Sequence, residues 1–148
     1  METSSHDRTL YQNLLNYYWY QPGTALHLFR LATDLVEFSP QSPSVDISCG
    51  DGTFSFMALG GTWASSLKNQ LSMASALKNT QRPQKFIDDH AKYTFDFGTE
   101  LEPELLKLAS QLGAYKTCLV HDNNNLPLPF DDNYFNSLYC NALYWVND

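Results

Sequence analysis

The run VDISCGDGTF, Val45 to Phe54, sets an acid, Asp46, in a short β-branched stretch and follows it with Gly50 and Gly52. Glycines so placed let a backbone turn approach a ligand that a Cβ would block, and they take up the positive φ that such turns need. A helix expected from Thr53 would aim its free N–H groups and positive dipole end at a carboxylate or phosphate. A second acid, Glu100, stands after a strand expected over Tyr93–Phe97 and before a helix opened by Pro103. At the carboxyl end of a strand it can accept hydrogen bonds from paired hydroxyls. Taken alone it equally complements the helix N-terminus, together with Glu102 and Glu104. A third acid, Asp122, follows the short strand expected at Cys118–Val120. The glycine turn by itself does not distinguish a nucleotide from an aminoacyl ligand, and a plain turn is the bland alternative.

Other reactive groupings fall away on spacing. His121 and Asp122 are neighbours on a strand, so their side chains point to opposite faces and cannot form a base and its orienter. Asp88-Asp89-His90 reads as a solvated loop. Cys49, Cys118 and Cys140 are odd in number, far apart and set among apolar neighbours, which fits buried thiols in a reducing compartment. Without paired Cys or His spacing, no metal site is expected. Sixteen acidic against nine basic residues give a net charge of −7 with no Lys/Arg run, which argues against nucleic acid as a partner. No apolar run approaches the ~20 residues of a membrane span. The start METSSHDR lacks the form of a secretory signal, so a cytoplasmic location is expected.

The elements that must position these residues follow from periodicity. At 148 residues one domain is the default. Residues 8 to 21 are rich in Tyr and Trp, suited either to a lid over a site or to a packed N-terminal helix. Leu26, Phe29, Leu31, Ala32, Leu35 and Val36 recur at helical spacing, predicting a helix over Thr24–Glu37 with Thr24 as N-cap. SPQSPS breaks it, and a strand follows at Val45–Ile47. A helix over Thr53–Leu59 ends at Gly60-Gly61. Residues 62 to 92 are the least legible, with a helix expected from about Ser66 to Leu77. Leu105, Leu106, Leu108, Ala109 and Leu112 give the helix after Pro103 its buried face, before Gly113 stops it. Asn123–Asn133 is a loop and Ser137–Cys140 the last strand. Strands alternating with helices predict an α/β fold with a parallel sheet and crossover helices.

The final segment, VHDNNNLPLPFDDNYFNSLYCNALYWVND, carries Asp122, Leu126-Pro127, Phe130, Asp132-Asn133, Phe135 and Leu143-Tyr144-Trp145. In this order, after VDISCGDG and GTELEPELLKLA, these residues resemble class I S-adenosylmethionine-dependent methyltransferases, particularly the quinone-biosynthesis group, over Val45 to Asp148. The resemblance implies a Rossmann-like doubly wound parallel sheet, here the first four strands of a seven-stranded fold. It implies an N-terminal helical segment at 1–44 and a partial S-adenosylmethionine-binding domain at 45–148, with an insertion at about 62–92. The cofactor implied is S-adenosyl-L-methionine, and the activity is methyl transfer to a small-molecule or lipid-like acceptor. Asp46, Ser48, Cys49 and Gly50 would lie against the methionine part, with Gly52 at the helix start. Glu100 would take the ribose hydroxyls and Leu101 would lie against the adenine. Asp122 would bind the adenine amino group, the Asn123 N–H a ring nitrogen, and Asn141 would sit near the methyl group.

Ser48 stands where the family has its first glycine, a change that fits if its φ is negative, and Asn136 stands where an aspartate is expected. No residue presents itself as a catalytic base. With the sequence ending at Asp148, the last strand is expected to leave a sheet edge open to self-association. Two other functions compete. One is a non-catalytic S-adenosylmethionine-binding remnant or interaction subunit. The other is a nucleotide-dependent oxidoreductase, against which Ser55 occupies the place of a dinucleotide fingerprint's third glycine.

Overall fold

A computed structural model describes residues 5–19, 21–36, 39–64 and 86–140. The chain forms two compact units, one of Met1–Phe38 with Phe56–Lys92, the other of Ser39–Ser55 with Tyr93–Asp148. The helix predicted at Ser66–Leu77 and the candidate Asn141 lie outside the described residues.

The second unit is built on four parallel strands: β1 (Ser44–Ile47), β4 (Phe95–Glu100), β5 (Tyr115–Val120) and β6 (Ser137–Tyr139). Their order across the sheet is β5-β4-β1-β6. This is the α/β arrangement with a parallel sheet that the alternation of strands and helices predicts. The chain works outward from β1 to β4 and β5, then returns to the other flank of β1 to lay down β6. In register Val45 sits between Phe97 and Leu138, and Asp46 between Gly98 and Tyr139. All four residues of β1 are buried, as in a parallel strand covered on both faces. The parallel pairing of β4 with β5 needs a crossover, which α4 (Pro103–Ala109) supplies. Pro103 opens α4, and Leu106 and Ala109 are its buried residues.

The boundaries of β4 and β5 differ most from the periodicity. β4 begins two residues after Tyr93 and runs on to Glu100, so that this acid is the strand's last residue. β5 begins at Tyr115, ahead of Cys118, because Tyr115 and Phe95 pair as buried aromatics with ring centroids 6.1 Å apart. Near the amino ends of the strands, Asp96 Oδ2 accepts from Ser42 Oγ at 2.6 Å and Ser44 N at 2.9 Å, while Lys116 Nζ donates to Oδ1 at 2.7 Å. Asn136 donates through Nδ2 to the Ser42 carbonyl at 2.7 Å, a bond that an aspartate at this position could not donate.

The first unit contains α1 (Ser5–Tyr17), α2 (Pro22–Val36) and an antiparallel ribbon of β2 (Thr62–Trp63) and β3 (Ile87–Asp89). The Tyr- and Trp-rich start is therefore mostly helix. Leu10, Leu14, Tyr17, Phe56, Met57 and Trp63 are buried, with Trp63 ring centroids 5.3 Å from Tyr17 and 5.4 Å from Phe56. Buried Asn13 ties α1 to the ribbon by accepting from Trp63 N at 2.9 Å and donating to Gly61 O at 2.8 Å. α2 starts at Pro22, two residues before the expected cap, and leaves Leu26 42% exposed. Asp88-Asp89, expected in a loop, belongs to β3, where Asp89 Oδ2 accepts from Thr62 Oγ1 at 3.1 Å. The division between the units falls within α3 (Thr53–Ala58), after Ser55.

Candidate functional site

The carboxyl ends of β1, β4 and β5 bring the candidate residues together. After β1 the chain turns with Ser48, Gly50 and Gly52 all at positive φ, at 58°, 59° and 74°. Cys49 N donates to Thr99 O at 2.9 Å, which lashes the turn to the end of β4. Gly50 N donates to Glu100 Oε2 at 2.8 Å, and the other oxygen of that carboxylate accepts from Leu101 N at 2.9 Å and Glu102 N at 3.1 Å. One acid thus joins the glycine turn to the start of α4 through three backbone donors. At the end of β5, Asn123 donates to Ser48 Oγ at 2.9 Å and accepts from Thr99 Oγ1 at 3.3 Å. Asp122 Oδ1 accepts from Asn124 N at 2.9 Å, closing a side-chain turn that fixes its carboxylate. Leu101 stays 53% exposed beside Glu100.

The geometry adds to the sequence reading at Ser48, at the two turn glycines and at the start of α3. Ser48 has a positive φ, so the condition of a negative φ is not met: its backbone is in the left-handed region that a glycine fills at no steric cost, and its hydroxyl is used as the acceptor for Asn123. Gly52 is committed to packing. A Cβ there would come within 2.9 Å of the Tyr115 ring and 3.0 Å of Ala109 Cβ. Gly50, by contrast, would place a Cβ in open space, with nothing within 4 Å. α3 is only six residues long, and the N–H of Thr53 is taken by Asp51 Oδ1 at 3.0 Å, so the chain's own carboxylate sits where a ligand anion was expected.

Asp46 turns inward. It is 1% exposed, and its Oδ2 accepts from Ser55 Oγ at 2.6 Å and from Tyr115 Oη at 2.7 Å. Burial pushes its carboxyl up to about 6; the two hydrogen bonds oppose that rise and the Glu100 charge adds to it. Burial also raises the Tyr115 hydroxyl, with the Asp46 charge reinforcing it. The Cys49 thiol is pushed up first by burial and then by Asp46, which favours the protonated thiol. Tyr115, Ser55 and Thr99 are the site residues that sequence reasoning missed. The available signal was Gly98, a glycine inside a strand, which marks close approach of another group: its Cβ would meet the Tyr115 ring at 2.8 Å.

Among the described residues no group of three or more His, Cys, Asp or Glu could hold a metal ion, and no helix is long and apolar enough to cross a membrane. Comparison of the chain with family models, with curated proteins and with solved structures gives no match.

Proposed function

We propose that this chain is the S-adenosyl-L-methionine-binding part of a class I methyltransferase, acting in the cytoplasm on a small-molecule or lipid-like acceptor. The observation that carries the reading is the Gly50–Glu100 pair: a glycine turn at the end of β1, joined at 2.8 Å to an acid at the end of the neighbouring parallel strand. The strand order supports a Rossmann-like doubly wound sheet, the first half of the seven-stranded fold. In such sheets the direction of winding reverses beside the first strand, and ligands bind outside the carboxyl ends there. The reversal here falls between β1 and β6.

The donor set fits the cofactor. Glu100 has two carboxylate oxygens, each able to accept further bonds from ribose hydroxyls beyond its backbone donors. Exposed Leu101 offers an apolar surface to the adenine, and Asp122 with the Asn123 N–H matches its amino group and ring nitrogen. The open side of Gly50, with Ser48 and Cys49, leaves room for the methionine part. Asp46 and Gly52 hold the turn's shape from below. When bound, the cofactor supplies an electrophilic methyl group, so the protein's task is alignment. The dinucleotide alternative is disfavoured because Ser55 carries a side chain committed to Asp46 where a third glycine is required.

Isothermal titration with S-adenosylhomocysteine and, separately, NAD tests the proposal. Binding of the former alone is expected; binding of NAD alone overturns it.

A further inference from the structure

In the second unit the loop from Leu126 to Phe135 closes against β4 through aromatic rings. Phe97 lies 5.2 Å from Phe130, 5.9 Å from Phe135 and 6.3 Å from Tyr134, at interplanar angles of 63°, 75° and 66°. Rings set this steeply to one another present their faces in several directions. A cavity of about 480 Å³ opens among Phe97, Phe130, Tyr134, Leu119, Leu128 and Asp131. A second, of about 760 Å³, shares Phe130, Asp131 and Tyr134 with it and adds Asp132. Among the described residues neither has a Lys, Arg or His in its lining. We propose that this aromatic and acidic cavity binds a small alkylated ammonium cation, such as a quaternary amine.

The lining selects that chemistry by exclusion and by attraction. Anions meet the carboxylate of Asp131, and in the second cavity that of Asp132 too, with no Lys, Arg or His among the described lining residues to offset them. Metal ions and primary ammonium groups hold their water strongly and would lose it against Phe, Leu and Pro walls without enough oxygen ligands in return. A quaternary ammonium spreads its charge over methyl groups and is weakly hydrated. Ring faces attract such a charge within ~6 Å of the centroid. The exposed carboxylate of Asp131 supplies the counter-charge, and the chain's net charge of −7 raises the local concentration of cations. The volume lies within the ~300–1,000 Å³ usual for small-molecule sites. The inference is independent of the methyltransferase reading, since neither Glu100 nor Gly50 lines the cavity.

The test is a titration of the full chain, followed by calorimetry or by the NMR signals of Tyr134 and Phe130. The probes are choline, benzyltrimethylammonium and 3,3-dimethylbutan-1-ol, the neutral carbon counterpart of choline. Both cations are expected to bind with Kd of ~1 mM, and the alcohol about tenfold more weakly or worse. Tyr134→Ala should weaken the cations roughly fivefold, with Tyr134→Phe retaining most of the affinity. Asp131→Asn should weaken them about threefold and flatten the salt dependence. Tyr134 is 43% exposed and Asp131 is exposed, so both variants should fold, which circular dichroism checks. Equal binding of the neutral alcohol, unchanged affinity in both Tyr134→Ala and Asp131→Asn, or no cation binding up to tens of millimolar would each overturn the proposal.

Discussion

Replacing Asp46 by Asn should remove a pH dependence of stability that runs opposite to the usual behaviour of a carboxylate. Burial lifts this group from its ordinary 3.8 to about 6 in the folded chain. At 1.36 kcal/mol per unit, Asp46 costs the folded state up to about 3 kcal/mol once it is ionised. Because the folded value is the higher one, the folded chain holds the proton longer. The favourable contribution is complete below pH 3.8 and is lost as pH rises to about 6. Asn does not titrate, and its amide oxygen can still accept from Ser55 Oγ and Tyr115 Oη. The unfolding free energy of Asp46→Asn minus that of the wild type should therefore climb by up to about 3 kcal/mol between pH 4 and pH 7. Urea unfolding at half-unit pH steps, read by circular dichroism, gives that difference, and the subtraction cancels the titrating groups that do not interact with Asp46. A difference that stays flat or falls with rising pH would refute the reasoning, since it would mean that the two hydrogen bonds outweigh desolvation.

Glu100→Ala should weaken S-adenosylhomocysteine binding by ~1.5–3 kcal/mol in calorimetry, the loss expected for a charged acceptor; unchanged affinity would assign the ribose to another residue. Ser48→Gly should leave stability within ~1 kcal/mol, because relief of the left-handed backbone offsets the lost bond from Asn123, whereas Ser48→Val should cost ~2 kcal/mol or more in urea unfolding. Asn13→Leu should destabilise the first unit by ~2–3 kcal/mol, because it strands Trp63 N and Gly61 O in the interior; intrinsic tryptophan fluorescence during unfolding reads it. Lys116 is the first of the groups that hold the Asp96 carboxyl down to about 2, so Lys116→Ala should raise its NMR titration midpoint. The stability Asp96 gives is present above its ordinary 3.8 and is lost as pH falls towards 2, so the cost of that variant should fade with it.

The alternation of strand and helix was legible because it is written in local pattern. The β-branched run at Val45–Ile47, the proline opening α4 and the leucines behind it need no knowledge of the rest of the chain. The rim of acids was legible for the same reason: Glu100, Asp122 and the glycine turn each stand at the end of an element. What could not be read locally was set by tertiary pairing. The partners of the Asp46 carboxylate, Ser55 and Tyr115, stand 9 and 69 residues away, and no local pattern announces them. The ribbon of β2 and β3 escaped because its strands are two and three residues long and pair across residues 64–86, too short for period-two alternation to register. The phenylalanines of the Leu126–Phe135 loop were read as a motif, whereas their packing on Phe97 is a property of the assembled unit.

Tyr115 explains why the turn and the strands beneath it have to be considered as one object. Its ring occupies space that a Cβ at either Gly98 or Gly52 would enter, at 2.8 Å and 2.9 Å. Its hydroxyl reaches the buried carboxylate of Asp46 on the central strand. Two glycines 46 residues apart are therefore fixed by one side chain on a third element. Of the two turn glycines, Gly50 is the one whose Cβ would meet nothing, which is the open position that the proposed cofactor reading requires. The packing floor under the turn and the open edge above it place different demands on residues of the same type. A glycine motif read along the chain merges those demands, and the strand order separates them. Under the proposed cofactor-binding reading, that separation gives Gly50, Ser48 and Glu100 the ligand-facing role and Asp46, Gly52 and Tyr115 the positioning role. Substitutions in the second group should consequently act on stability before they act on affinity.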